Sequence, residues 1–133
     1  MDTTALLEKR VALLEEILEV TRQQPALLAQ EDINPLLDNI GRRQELIDSL
    51  EELTRALPEG FESAGGRHGE LNRRARELYG QISAQDRQNE TAAQSRMEEI
   101  KAQMRKLRDG KTAFGGYEKI IKDPGSTYFD KRQ

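Results

Sequence analysis

The chain has 133 residues, 34% of them charged, 35% hydrophobic and 5% aromatic, with a net charge of −3 and no cysteine. That length suits one domain, and that composition suits long amphipathic helices better than an apolar globule. The missing cysteines exclude a disulfide framework and thiolate chemistry. No apolar run approaches the ~20 residues of a membrane span, and the N-terminus lacks the pattern of a signal peptide, so a cytoplasmic protein is expected.

The first helix is expected over residues 4–30. Leu6, Leu7, Val11, Leu14, Ile17, Leu18 and Thr21 recur at spacings of one, three and four, a wide core-facing stripe. Pro25 removes a helical hydrogen bond, which predicts a kink or break at Gln24 with PALLAQ as a short continuation.

The second helix is expected over 34–57. Asn34 suits the cap and Pro35 the first turn, with Asp32 as a competing cap. The stripe Leu36, Ile40, Arg43, Ile47, Leu50, Thr54, Leu57 steps by four and three, a heptad seam of coiled-coil type. Pro58 and Gly60 end it, and PEGFESAGG reads as a loop.

The third helix is expected over 67–109, with Leu71, Ala75, Leu78, Tyr79 and Ile82 facing the core. From Ser83 to Arg96 no large apolar side chain occurs, and the stripe resumes at Ala93, Met97, Ile100, Met104 and Leu107. At 1.5 Å per residue the second helix is about 36 Å long and the third about 65 Å. A short loop makes the two antiparallel neighbours, so the partner of the third helix is used up near residue 91. The resumed stripe therefore overhangs, as an interaction site with adaptable methionines would.

Residues 111–133 lack a sustained period and read as a flexible C-terminal tail. Four of the six aromatics lie there: Phe114, Tyr117, Tyr128 and Phe129. Such side chains can anchor a segment that folds on binding. The fold class is thus all-α: an antiparallel three-helix bundle over 1–110, then the tail.

Chemistry-bearing patterns are few. His68 is the only histidine and reads as solvated surface, without the further ligands that a metal site needs. Carboxylate pairs such as Glu51-Glu52 are usual on solvated helix faces. Neither an enzyme nor a cofactor is expected. Residues 1–66 carry a net charge of −8 and residues 67–133 a net +5. With acidic groups interspersed through the basic half, this reads as an acidic hairpin against a basic helix and not as a nucleic-acid surface.

The segment EDINPLLDNIGRRQELIDSL, the polar mid-helix AQDRQNE around Asn89, the helix end RKLRDGKTAFGGY and the closing FDKR together resemble the flagellar type III export chaperones of the FlgN kind, with FliT-like features from LRDGK to the tyrosine. The resemblance implies a cytoplasmic chaperone. Its cargo would be unassembled hook–filament junction proteins or, in the FliT case, the filament cap protein. It would deliver that cargo to the cytoplasmic domain of the export gate. The resemblance also implies that the C-terminal region takes part in both contacts, with Tyr117 by position as the gate-binding tyrosine. A structural coiled-coil protein, homodimeric through the heptad seams, is the competing reading.

Overall fold

The computed structural model describes residues 2–110. Helix α1 spans Thr3–Arg22, α2 Gln24–Leu28, α3 Asn34–Ala56 and α4 Gly66–Gly110, with a single 3-10 turn at Phe61–Ser63. The described residues form an all-α bundle of three long helices, with no strand among them.

Local chemistry sets the ends. The Asp2 carboxylate accepts from the backbone N–H of Ala5 at 2.7 Å and caps α1. At α3 neither Asn34 nor Asp32 takes the cap position, which falls to Ile33 without a side-chain bond; the Asp32 carboxylate accepts from the Asn34 N–H at 3.0 Å just before the helix, and Asn34 opens it with Pro35 beside it. Gly60 turns the chain with φ of 78°, a conformation that costs glycine little.

Helix α1 is the central element. Its broadest packing is against α4 and then α3, whereas α3 and α4 share no broad interface of their own. This corrects the expectation that the short loop makes α3 and α4 packed neighbours. They do run antiparallel, but α1 wedges between them because its stripe is wide enough to serve two partners. Leu7, Val11, Leu14 and Leu18 are buried from α1, Leu46, Leu50 and Leu53 from α3, and Leu71, Ala75, Leu78 and Ile82 from α4. Burying each leucine contributes roughly 1.5–3 kcal/mol before entropy is set against it.

Helix α4 is one continuous 45-residue helix, unbroken through residues 83–96. Arg43 and Asp86 fix its register on α3 by a two-pronged ion pair, with Nη2 to Oδ2 at 2.9 Å. In that antiparallel register Asn34 stands level with Ser95. The 15 residues from there to Gly110 project past the end of α3 by about 22 Å.

Candidate functional site

The polar interruption of α4 is a structural joint. In an unbroken α-helix the carbonyl of Thr21 would accept from the N–H of residue 25, but Pro25 has none. Helix α1 ends at Arg22, and the Thr21 carbonyl accepts from Asn89 Nδ2 at 2.8 Å instead. The same Nδ2 donates to Gln24 Oε1 at 3.0 Å, and Asn89 Oδ1 accepts from Gln85 Nε2 at 2.9 Å. Gln24 Nε2 passes the chain to Asn39 Oδ1 at 3.1 Å, and Asn39 Nδ2 donates to the Val20 carbonyl at 2.9 Å. Thr21, Gln24 and Asn89 are fully buried. One amide layer thus joins all four helices, and a buried polar group is tolerable only when bonded in this way.

Above the layer, α2 lies over α4, with Pro25, Leu28 and Ala29 facing Ala92, Ser95 and Arg96 across a shallow cleft. This changes the reach of the apolar stripe. Ala93 is buried, and so belongs to the covered part of α4. Helix α2 carries cover over α4 beyond the point where α1 stops. Met97, Ile100 and Met104 are half-buried, and Leu107 is 52% exposed. At the same end Ile33 and Leu37 of the α3 entry are also exposed. Phe114, Tyr117, Tyr128 and Phe129 lie outside the described residues.

A second surface was not anticipated from the pattern. Because α3 and α4 diverge around α1, an open groove of about 540 Å³ lies between them. Leu14 and Ile17 form its floor, Ile47 and Leu50 one wall, Tyr79 and Ile82 the other. Arg43 lines its upper end, where it is paired with Asp86. The one available signal was Arg43 itself, a charge at a seam position.

His68 is not a solvated surface residue. It is half-buried at the start of α4, and its Nε2 lies 2.7 Å from Thr4 Oγ1, which ties the N-terminal turns of α1 and α4. Among the described residues no group of acidic or histidine side chains is placed to hold a metal ion. No described helix is long and apolar enough to cross a membrane.

A family model for the flagellar protein FliT matches residues 11–119, which takes in the whole groove, the amide layer and the overhang. The chain belongs to the FliT family. FliT proteins are flagellar export chaperones, so of the two kinds in the sequence resemblance the match falls on FliT and not on FlgN. The matched span includes Phe114 and Tyr117 and stops short of Tyr128 and Phe129. Neither the curated proteins nor the solved structures yield a match to the chain.

Proposed function

We propose that this protein is a cytoplasmic chaperone that holds an unassembled filament cap protein, keeps it from assembling prematurely and delivers it to the cytoplasmic domain of the export gate. The observation that carries the reading is the projecting end of α4, where Met97, Ile100, Met104 and Leu107 continue an apolar stripe past Asn34, the first residue of α3. A helix that keeps its apolar face after its covering helices stop has a face to offer a partner. The FliT match favours the cap protein as client, and the FlgN side of the resemblance keeps hook–filament junction proteins as the second client class. Cysteine-free composition accords with a reducing compartment.

Titration calorimetry of the purified chain against a cap protein and against junction proteins tests the client. Tighter binding of the cap protein is expected, and tighter binding of junction proteins would transfer the assignment to them. Ile100→Glu and Met104→Glu are each expected to weaken client binding at least tenfold, about 1.4 kcal/mol. Unchanged affinity in both variants would remove the overhang as the client surface. Light scattering on the free chain covers the competing use of the stripe: a stable homodimer with no affinity for either client would favour the coiled-coil reading. At the gate, Tyr117→Ala is expected to lower binding of the loaded chaperone while leaving client affinity within about threefold. Loss of both together would make Tyr117 a client or structural residue.

A further inference from the structure

The charge of the chain is segregated along its length. Residues 1–66 carry a net −8 and residues 67–99 balance, so the whole basic excess, +5, falls in residues 100–133. On the projecting end of α4, the run from Ile100 to Arg108 holds Lys101, Arg105, Lys106 and Arg108 and no acid. Lower on the helix Arg67, Arg74 and Arg96 each pair with a glutamate three residues on, whereas Lys101, Arg105 and Lys106 have no ion pair among the described residues. Arg105, Lys106, Leu107 and Arg108 are all exposed. Lys101, Arg105 and Arg108 step by four and three down one side of the helix, Lys106 stands on the other side, and Leu107 lies between. Arg108 is about 20 Å beyond the level of Asn34. That is over twice the Debye length of about 8 Å at physiological salt, so the acidic hairpin does not cancel the field at the tip.

We propose that the projecting tip of α4, with the C-terminal segment that follows it, binds the surface of an anionic lipid bilayer, reversibly and tip-first. Residues 111–133 add five cations, four aromatics and the pair Ile120-Ile121. Cations interleaved with aromatic and aliphatic side chains suit a bilayer interface, where headgroups answer the charges and the acyl boundary takes the rings and Leu107. The stems of Lys and Arg lie along that boundary with their charged ends among the headgroups. A nucleic acid would use the cations and leave the apolar side chains in water. A single acidic patch on a protein would meet one side of the helix, whereas headgroups surround a tip that enters them. The same surface repels the acidic hairpin, which keeps the bundle away from the lipid and the tip toward it. The inference uses neither the client nor the gate, and it leaves Met97, Ile100 and Met104 to the client.

The test is flotation of the full chain with vesicles of phosphatidylcholine alone and of phosphatidylcholine with about one-third phosphatidylglycerol. The anionic vesicles are expected to take up at least about tenfold more protein at about 0.1 M salt, and to release it at about 0.5 M. Equal partition into both vesicles, or none into either, would overturn the proposal; in the second case an acidic protein is left as the partner of the tip. The combined variant Arg105→Gln, Lys106→Gln, Arg108→Gln is expected to lower partition at least about fivefold with an unchanged melting curve. Should it melt early, Lys106→Glu alone serves, with at least about a threefold loss expected. Unchanged partition in the variant used would overturn the proposal, even where replacing Lys119, Lys122, Lys131 and Arg132 by Gln abolishes it, because α4 would then take no part. Arg73→Gln with Arg76→Gln removes exposed cations from the bundle part of α4 and is expected to leave partition as it was. A loss as large as that of the tip variant would make the effect one of overall charge and overturn the site. A short DNA duplex is the polyanion control: binding to it as tight as to the anionic vesicles at equal salt would overturn the lipid assignment. These mixtures hold no client and no gate, so their outcome is separate from that of the function proposed above.

Discussion

Two stretches of α4 face the same neighbour and are held to it by opposite means. From Leu71 to Ile82 the helix presents Leu71, Ala75, Leu78 and Ile82 to α1, all buried and all apolar. From Gln85 to Asn89 it presents amides, and Asn89 is as thoroughly buried as Leu78. The lower stretch meets an unbroken helix, whose backbone groups are already satisfied, so only shape and area matter there. The upper stretch meets the place where Pro25 ends α1 and carbonyls need donors. Polarity in the middle of a long helix therefore marks a break in its partner and not a gap in the packing.

Each stretch can be disrupted by a single substitution. Leu78→Ala removes a fully buried side chain and is expected to destabilise the fold by about 3 kcal/mol in denaturant unfolding. Asn89→Ala removes three bonds of the layer, to the Thr21 carbonyl, Gln24 Oε1 and Gln85 Nε2, at an expected cost of about 2 kcal/mol. If Asn89→Ala costs less than about 0.5 kcal/mol, the layer is incidental and the upper end is held by α2 packing alone.

The lower stretch was legible in the sequence because its signal is periodic. Leu7, Val11, Leu14 and Leu18, then Leu46, Leu50 and Leu53, repeat at helical spacing, and each repeat names a buried face. The joint was half legible. Pro25 announces a broken helix, but nothing local says that the donor for Thr21 stands 68 residues further on. The groove was not legible. It arises because α1 separates α3 from α4, and which of three amphipathic helices takes the middle depends on the relative widths of their apolar faces. Arg10 shows the same limit: one arginine amid Leu6, Leu7 and Val11 reads as a solvated edge until Phe61 and Tyr79 are found over it.

A double-mutant cycle sharpens the account of the joint. Pro25→Ala returns an N–H to position 25, which can close on the Thr21 carbonyl if α1 and α2 join into one helix. Asn89 then has less to supply. Asn89→Ala is expected to cost about 1 kcal/mol less in the Pro25→Ala background than in the native chain. Strict additivity would mean that the chain break and the buried amide are unrelated.

The smallest effect is expected where cover stops. Met104 lies nine residues past Ser95, the last position level with α3, and beyond the part of α4 that lines the cleft with α2. A charge introduced there has water within reach, unlike a charge at Leu78, which would be buried and unpaired at a cost of several kcal/mol. Met104→Glu also places an acid among Lys101, Arg105 and Arg108, which suits it electrostatically. Being near the C-terminal end of the helix works against it, because the dipole there favours cations, by a few tenths of a kcal/mol. The two influences are of similar size and opposite sign. Unfolding of Met104→Glu is therefore expected within about 0.5 kcal/mol of the native chain. A loss of 2 kcal/mol or more in the same measurement would mean that the end of α4 is covered core, and the boundary between the buried and the projecting parts of the helix would move past Met104.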